Sequence, residues 1–217
     1  MKPIQSAGGH VGLSTRNYPI AYNTAISAGQ VVKLSAGLVV AAAANETSAI
    51  LGIAAENHPG TEDPLNLRAN GTEILVFDDP DLIFECPAPT FTASGGSATT
   101  VTAATSQVAS TTADIFNGGF LVSPKGKKRQ ITDFANASTT NTFTVPSGET
   151  AANNDVYTCY PPVGFKTGYR LDTNLSGLIL SAAGMTAIKV VGHDFERGML
   201  RLKAYFHALG SQETDAT

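Results

Sequence analysis

The sequence predicts an all-β protein: a small β-barrel or sandwich module, with a second β unit attached through a Ser/Thr-rich connector. Three observations lead there. Charged residues make up only 15% of the chain against 42% hydrophobic, with 21 Gly, 11 Pro and no Trp, whereas amphipathic surface helices spend Glu, Lys and Arg on their wet face. The apolar runs are short, rich in β-branched residues and bounded by Gly, Asn, Asp or Pro. Several of them alternate apolar with polar side chains, the period of a half-buried strand. At 217 residues the chain is long enough to bury a core without metals or disulfides.

Residues 1–17 form a Gly-containing N-terminal arm, expected to be flexible and to order along a partner. A barrel-like module follows over 18–89, with candidate strands at 31–34, 38–41, 50–54, 73–77 and 82–85. Ser35-Ala36-Gly37 reads as a tight hairpin, and Asp78-Asp79-Pro80-Asp81 as a sharp corner built from Asx hydrogen bonds and the fixed φ of proline. Residues 90–113, mostly FTASGGSATTVTAATSQVASTTA, are a connector with some strand character. The second β unit, 114–163, carries runs at 120–122, 129–134, 142–145 and 155–160. In DVYTCY, Val156, Thr158 and Tyr160 oppose Tyr157 and Cys159 across the strand plane. Residues 164–217 hold runs at 178–180, 187–191 and 199–206 that return to the first module, then a polar tail.

Composition also excludes function classes. The net charge is −4, and the basic residues are scattered apart from Lys125, Lys127, Lys128 and Arg129 in SPKGKKRQ. A nucleic-acid binder carries a broad basic face, so this turn reads as a solvated hairpin tip whose best functional use is contact with an acidic protein partner. No run approaches the ~18 apolar residues of a membrane span, and MKPIQSAGGH lacks the apolar stretch of a secretory signal. A soluble protein made in the cytoplasm is expected.

Reactive constellations do not assemble. Cys86 and Cys159 lack a CxxC partner or a nearby His, leaving two buried thiols or one disulfide; buried thiols are the reading adopted. His10, His58, His193 and His207 show no metal spacing. The densest polar cluster, His193-Asp194-Phe195-Glu196-Arg197, reads as a solvated strand connection with a surface salt bridge rather than a metal or acid/base site. Asp78, Asp79, Asp81 and Glu85 lack the alternating Gly-containing loop of a calcium cage. Gly8-Gly9, Gly95-Gly96 and Gly118-Gly119 match no phosphate-binding motif and serve turns or bulges. No GxSxG occurs. The expectation is a protein that is not an enzyme and has no cofactor or metal.

One stretch has a known look. TAISAGQVVKLSAGLVVAAAANETSAILGIAAE resembles the N-terminal module of tailed-bacteriophage capsid decoration, or cement, proteins, at Ala28, Gly29, Val31, Val32, Gly37, Val39, Gly52, Ile53 and Ala54. The likeness continues at Val76, Asp78, Pro80 and Phe84. FNGGFLVSPKGKKRQITDF, TFTVPSG and NNDVYTCYPP resemble a small β unit recurrent in phage head proteins. The resemblance implies a virion protein on the outer capsid face, a homotrimer bridging subunits of the major capsid protein and stabilising the mature head, with no nucleic acid or membrane partner. Partner contacts are expected at Tyr18 and Tyr22 near the arm, and at Lys127, Lys128 and Arg129 for an acidic surface. The alternative is a head-fibre or tail-associated β module binding a host-surface glycan. Absence of Trp and an aromatic content of 7% count against it, although Tyr157, Tyr160 and Tyr169 are available.

Overall fold

The computed structural model describes residues 2–6, 14–21, 23–43, 46, 48–60, 73–106, 108, 113–164, 172–174, 177–179, 188–205 and 207–209. The described residues are all-β, with antiparallel ladders throughout. The first strands are β1 (Lys2–Ser6), β2 (Thr15–Pro19), β3 (Val31–Ser35), β4 (Leu38–Ala41), β5 (Ile50–Ala54), β6 (Glu73–Phe77) and β7 (Leu82–Pro87).

Strands β2-β6-β5-β3-β4 form a five-stranded curled sheet. Its two ends meet where Ile20 bridges Val39, with the Ala21 N–H donating to the Val39 carbonyl at 3.1 Å. This seam turns the sheet around its own core of Ile20, Ile26, Val32, Val39, Leu51, Ala54, Ile74 and Val76, against which Tyr18 and Leu34 pack. The sequence between β3 and β4 sets their register, because Ala36 (φ 50°) and Gly37 (φ 81°) are both left-handed and join the Ser35↔Leu38 pair. That is a two-residue turn whose twist matches the strands it connects. Between β4 and β5, Glu46 is buried, pairs with Lys33 at 2.8 Å and accepts the N–H groups of Ala43 and Ser48.

Strand β5 is buried along its whole length because its two faces serve different cores. Leu51 and Ala54 fill the curled sheet, whereas Ile50 and Ile53 point out of it into the main core with Leu82, Phe84, Leu200 and Leu202. Simple alternation cannot put 50 and 53 on one face. A bulge supplies the extra residue, since Val32 pairs with Gly52 and Lys33 with Ile50, and a bulge shifts the side-chain phase by one. Gly52 has φ 156°, and a Cβ there would stand 1.9 Å from the Phe77 carbonyl oxygen. At the β6–β7 corner the Leu82 N–H donates to the Asp79 carbonyl and the Asp81 N–H to Asp79 Oδ1, the Asx-stabilised proline turn expected from DDPD.

The next strands are β8 (Thr90–Gly96), β9 (Thr100–Ala104), β10 (Phe120–Val122), β11 (Lys128–Gln130), β12 (Asp133–Ala135), β13 (Thr140–Thr144) and β14 (Asn153–Tyr160). Their order is β11-β10-β14-β8-β9-β13-β12. The two outer strands are consecutive in the chain. Only Ile131 and Thr132 separate them, and the hydrogen bonds change side there: Ile131 exchanges bonds with Gly118 and Gly119, while the Thr132 N–H donates to the Thr144 carbonyl. One bent strand therefore supplies both edges, and the sheet closes into a second barrel. Phe91 stacks on Phe143 and Tyr157 (5.1 and 5.9 Å between centroids), and Phe116 meets Phe134 edge-on at 4.8 Å. Threonines 90, 92, 100, 102, 140, 142, 144 and 158 occupy the alternate, outward positions.

Residues 90–104 thus correct the expected connector. They are a hairpin in the middle of the second barrel, with Phe91, Ala93, Val101 and Ala103 buried. Small side chains at alternate positions suit a barrel interior crowded by phenylalanines, and that economy resembles linker composition. The expected arm is corrected as well: Lys2–Ser6 pairs with β7 and Thr15–Pro19 with β6 of the same chain.

The remaining strands are β15 (Asp172–Asn174), β16 (Gly177–Ile179), β17 (Ile188–Asp194) and β18 (Met199–Ala204). β15 and β16 form a two-stranded ladder, and β18 pairs with β7 to make a four-stranded sheet, β1-β7-β18-β17. Leu82, Phe84, Cys86, Ile188, Val190, Leu200 and Leu202 from this sheet belong to one core with the outward residues of β5 and the interior of the second barrel.

Two substitutions test these assignments. Gly52→Ala should lower unfolding stability by about 3 kcal/mol, read from the urea midpoint, because the added methyl meets backbone and cannot be accommodated by a side-chain shift. Ala36→Asn should raise stability by about 0.5–1 kcal/mol, since Asn tolerates the left-handed conformation that Ala occupies at a cost.

Candidate functional site

Tyr18 lies on β2, opposite Ile74. Its hydroxyl donates to Asp78 Oδ2 at 2.5 Å, and Arg16 Nε stands 3.4 Å from the same oxygen. Asp78 is only 2% exposed, so this is a buried carboxylate shared by a phenol and a guanidinium. Burial pushes the Tyr18 phenol up to about 12, aided by its hydrogen bond to Asp78 and by that charge. The hydroxyl is therefore a fixed donor at neutral pH, tying the edge strand to the β6–β7 corner. Tyr22 lies outside the described residues.

The three basic candidates divide between two faces of the hairpin. The hairpin tip is closed by Gly126 N–H to Ser123 O and Ser123 N–H to Lys127 O. Lys127 and Lys125 straddle Glu149 at 3.2 and 3.7 Å while remaining mostly exposed. The Lys127 hydrogen bond, more than any other influence, holds the Glu149 carboxyl below its ordinary range. Lys128 projects from the other face of β11, with Nζ 4.0 Å from the Phe195 ring centroid and 5.3 Å from that of Phe120. Arg129 turns back along the Lys127 side, where Nη1 donates to the carbonyls of Ala98 and Glu149 at 3.2 and 3.4 Å. The tip is thus less a free cationic cluster than a set of internal ties, although Lys125, Lys127 and Lys128 all remain exposed.

The 193–197 segment is the tip of the β17–β18 hairpin, and it divides into two clusters. Asp194 Oδ1 accepts the Arg197 N–H, and Arg197 and Arg201 both reach Asp194 Oδ2 and the carboxylate of Glu85, the shortest approach being Arg197 Nη1 to Glu85 Oε2 at 2.8 Å. Glu85 is 2% exposed, so two carboxylates and two guanidinium groups form a network with one member buried. His193 turns away from it. Its Nε2 donates to the Pro161 carbonyl at 2.7 Å, and its ring meets Phe195, Tyr160 and Phe120 at 5.3, 5.7 and 6.1 Å. Sequence reading foresaw the salt bridge but placed it in solvent and missed Glu85 as its buried member. The missing signal is the Glu85↔Arg201 register, which joins residues distant in the chain.

The two cysteines are not poised as nucleophiles. Burial pushes the Cys86 thiol up to about 12 and Cys159 higher still, so neither supplies a thiolate near neutral pH. Among the described residues no group of three His, Cys, Asp or Glu side chains is placed to hold a metal ion, and no helix is long and apolar enough to cross a membrane. Tyr157 and Tyr160 are buried, which removes them as glycan platforms; Tyr169 and His10 lie outside the described residues.

Glu85→Ala should destabilise the fold by about 2–3 kcal/mol, because it removes the buried carboxylate that ties both guanidinium groups to β7 and leaves them only Asp194, and Arg197→Ala by about 1 kcal/mol, because Arg201 remains. Urea unfolding of both single variants and the double variant measures the coupling, which should be favourable.

No family model, curated protein or solved structure matches this chain.

Proposed function

We propose that this protein is a capsid decoration, or cement, protein of a tailed bacteriophage, which binds the outer surface of the major capsid protein shell as a homotrimer and stabilises the mature head. In this reading it is not an enzyme, needs no cofactor, and is made in the host cytoplasm before joining the virion. The observation that carries the reading is where the polar chemistry goes. Asp78, Glu85, His193, Lys128 and Arg129 are engaged by intramolecular partners, and the outward face of β8, β9, β13 and β14 is mainly threonine.

Such a surface suits binding through contact area rather than reaction at a point. A ligand present at 100 times its dissociation constant adds about 2.7 kcal/mol to whatever it binds, and many copies on a shell accumulate that effect. The residues carrying the cement-protein resemblance also have a common structural use, since Val32, Val39, Ala54 and Val76 fill the first barrel and Val31, Ile53 and Phe84 fill the core beside it. Of the expected contact residues Lys127 and Lys128 keep solvent access, as do their neighbour Lys125 and, beside Tyr18, Arg16.

Mixing the purified protein with undecorated expanded shells should give saturable binding, extra density on the outer face by electron microscopy, and greater resistance of the shells to heat. Lys125→Glu with Lys127→Glu should weaken that binding if the tip touches an acidic patch. Failure to bind shells of the matching phage, together with specific binding to a cell-surface glycan, would overturn the proposal in favour of an adhesin.

A further inference from the structure

The described residues form two lobes: the first barrel with the four-stranded sheet, and the second barrel made from β8 to β14. The β17–β18 hairpin belongs to the first, yet its tip reaches the second. Gly198 accepts the Ala88 N–H at 2.9 Å where the chain crosses between lobes. Beyond it, Phe195 packs edge-on to Phe120 of β10 at 5.3 Å and against Tyr160 of β14 at 4.7 Å, and Lys128 of β11 caps Phe195. His193 adds the hydrogen bond to Pro161.

We propose that this tip is an acid-released clasp between the two lobes, with His193 as its titrating latch. The hydrogen bond decides the protonation state. A carbonyl only accepts, so Nε2 carries the proton and a second proton must load Nδ1. That proton would create a cation in a half-buried aromatic setting. The charged and titratable groups around it do not compensate. From β11 comes the Lys128 ammonium, of like charge; from β14 comes the neutral Tyr160 phenol. On the hairpin itself Asp194 is held by Arg197 and Arg201, which also engage Glu85 of β7, and Glu196 is exposed.

Burial pushes the His193 imidazole below its ordinary 6.5, Lys128 adds to the push, and the Pro161 bond opposes it without prevailing. The sign follows. The unfolded or unclasped imidazole takes up protons more readily than the clasped one, so the clasp is fully stable above about 6.5 and weakens as the pH falls through the window below it. Hydrophobic packing within each barrel and in the core that the two lobes share has no such dependence, so the hairpin tip loosens before the barrels do.

Hydrogen exchange of the full-length protein, corrected for the intrinsic pH dependence of exchange, tests this between pH 7.5 and 5. Exchange in peptides covering 188–204 and 156–163 should rise by up to about tenfold per pH unit as the pH falls from about 6.5 toward the His193 midpoint and level off below it, while peptides from β3 to β5 stay protected. His193→Gln retains a donor for the Pro161 carbonyl but cannot titrate, and should abolish the step. His207→Gln, at the other buried histidine, should leave it in place. Lys128→Met should move the His193 midpoint, followed by NMR in the otherwise native chain, to higher pH; this decides the matter even if the His193 variant does not fold. Exchange that does not change with pH, a step that survives His193→Gln, or a midpoint that Lys128→Met leaves unmoved or lowers would each overturn the proposal.

Discussion

An open sheet edge is the constraint around which this fold is arranged. A strand edge presents unpaired N–H and C=O groups, and proteins usually guard it with charges, especially lysine. This chain spends only 15% of its residues on charge, and its two barrels protect edges by joining them. In the second barrel one bent strand through Ile131 and Thr132 pairs on both sides. In the first, Ile20 and Ala21 meet Val39 across the seam. Closure also creates interiors narrow enough for Phe91, Phe143 and Tyr157 to stack, each worth roughly 2–3 kcal/mol when removed from water.

The few charges are then available for positions where two pieces of chain must be held in register. Asp78 fixes β2 to the β6–β7 corner, Glu46 fixes a loop to β3, Glu85 fixes the β17–β18 hairpin to β7, and Arg129 holds two turns of the second barrel. Each buried carboxylate has a basic side chain and additional contacts, as burial of charge demands. The same economy gives the fold its specificity of pairing.

How much of this could be read from the residues depended on range. The hairpin at Ala36-Gly37, the DDPD corner and the alternation in DVYTCY are local, and the structure follows them closely. The phase shift at Gly52 is invisible locally because ILGIA reads as an ordinary buried strand, and only the Phe77 carbonyl reveals why glycine stands there. The Thr-rich 90–104 stretch misled for a physical reason: a barrel wall with small inward residues and threonines outside has the composition of a linker. At the hairpin tip, charge spacing suggested a salt bridge, but neither the buried Glu85 nor the aromatic surroundings of His193 are encoded nearby. Both come from strand register across long separations.

The second barrel begins and ends at one place. Thr90 pairs with Thr158, and the Cys159 N–H donates to the Pro89 carbonyl, so the chain enters and leaves the lobe side by side. In topological terms it is a cassette set into the host sheet between β7 and β18. The order of assembly follows from that geometry. Pairing Cys86 with Leu200 otherwise requires closing a long loop, whose entropic cost grows with its length. A cassette that folds first from contacts within itself ties off most of that loop, much as a crosslink between Pro89 and Cys159 would, and leaves the host sheet a far shorter search for its last partner.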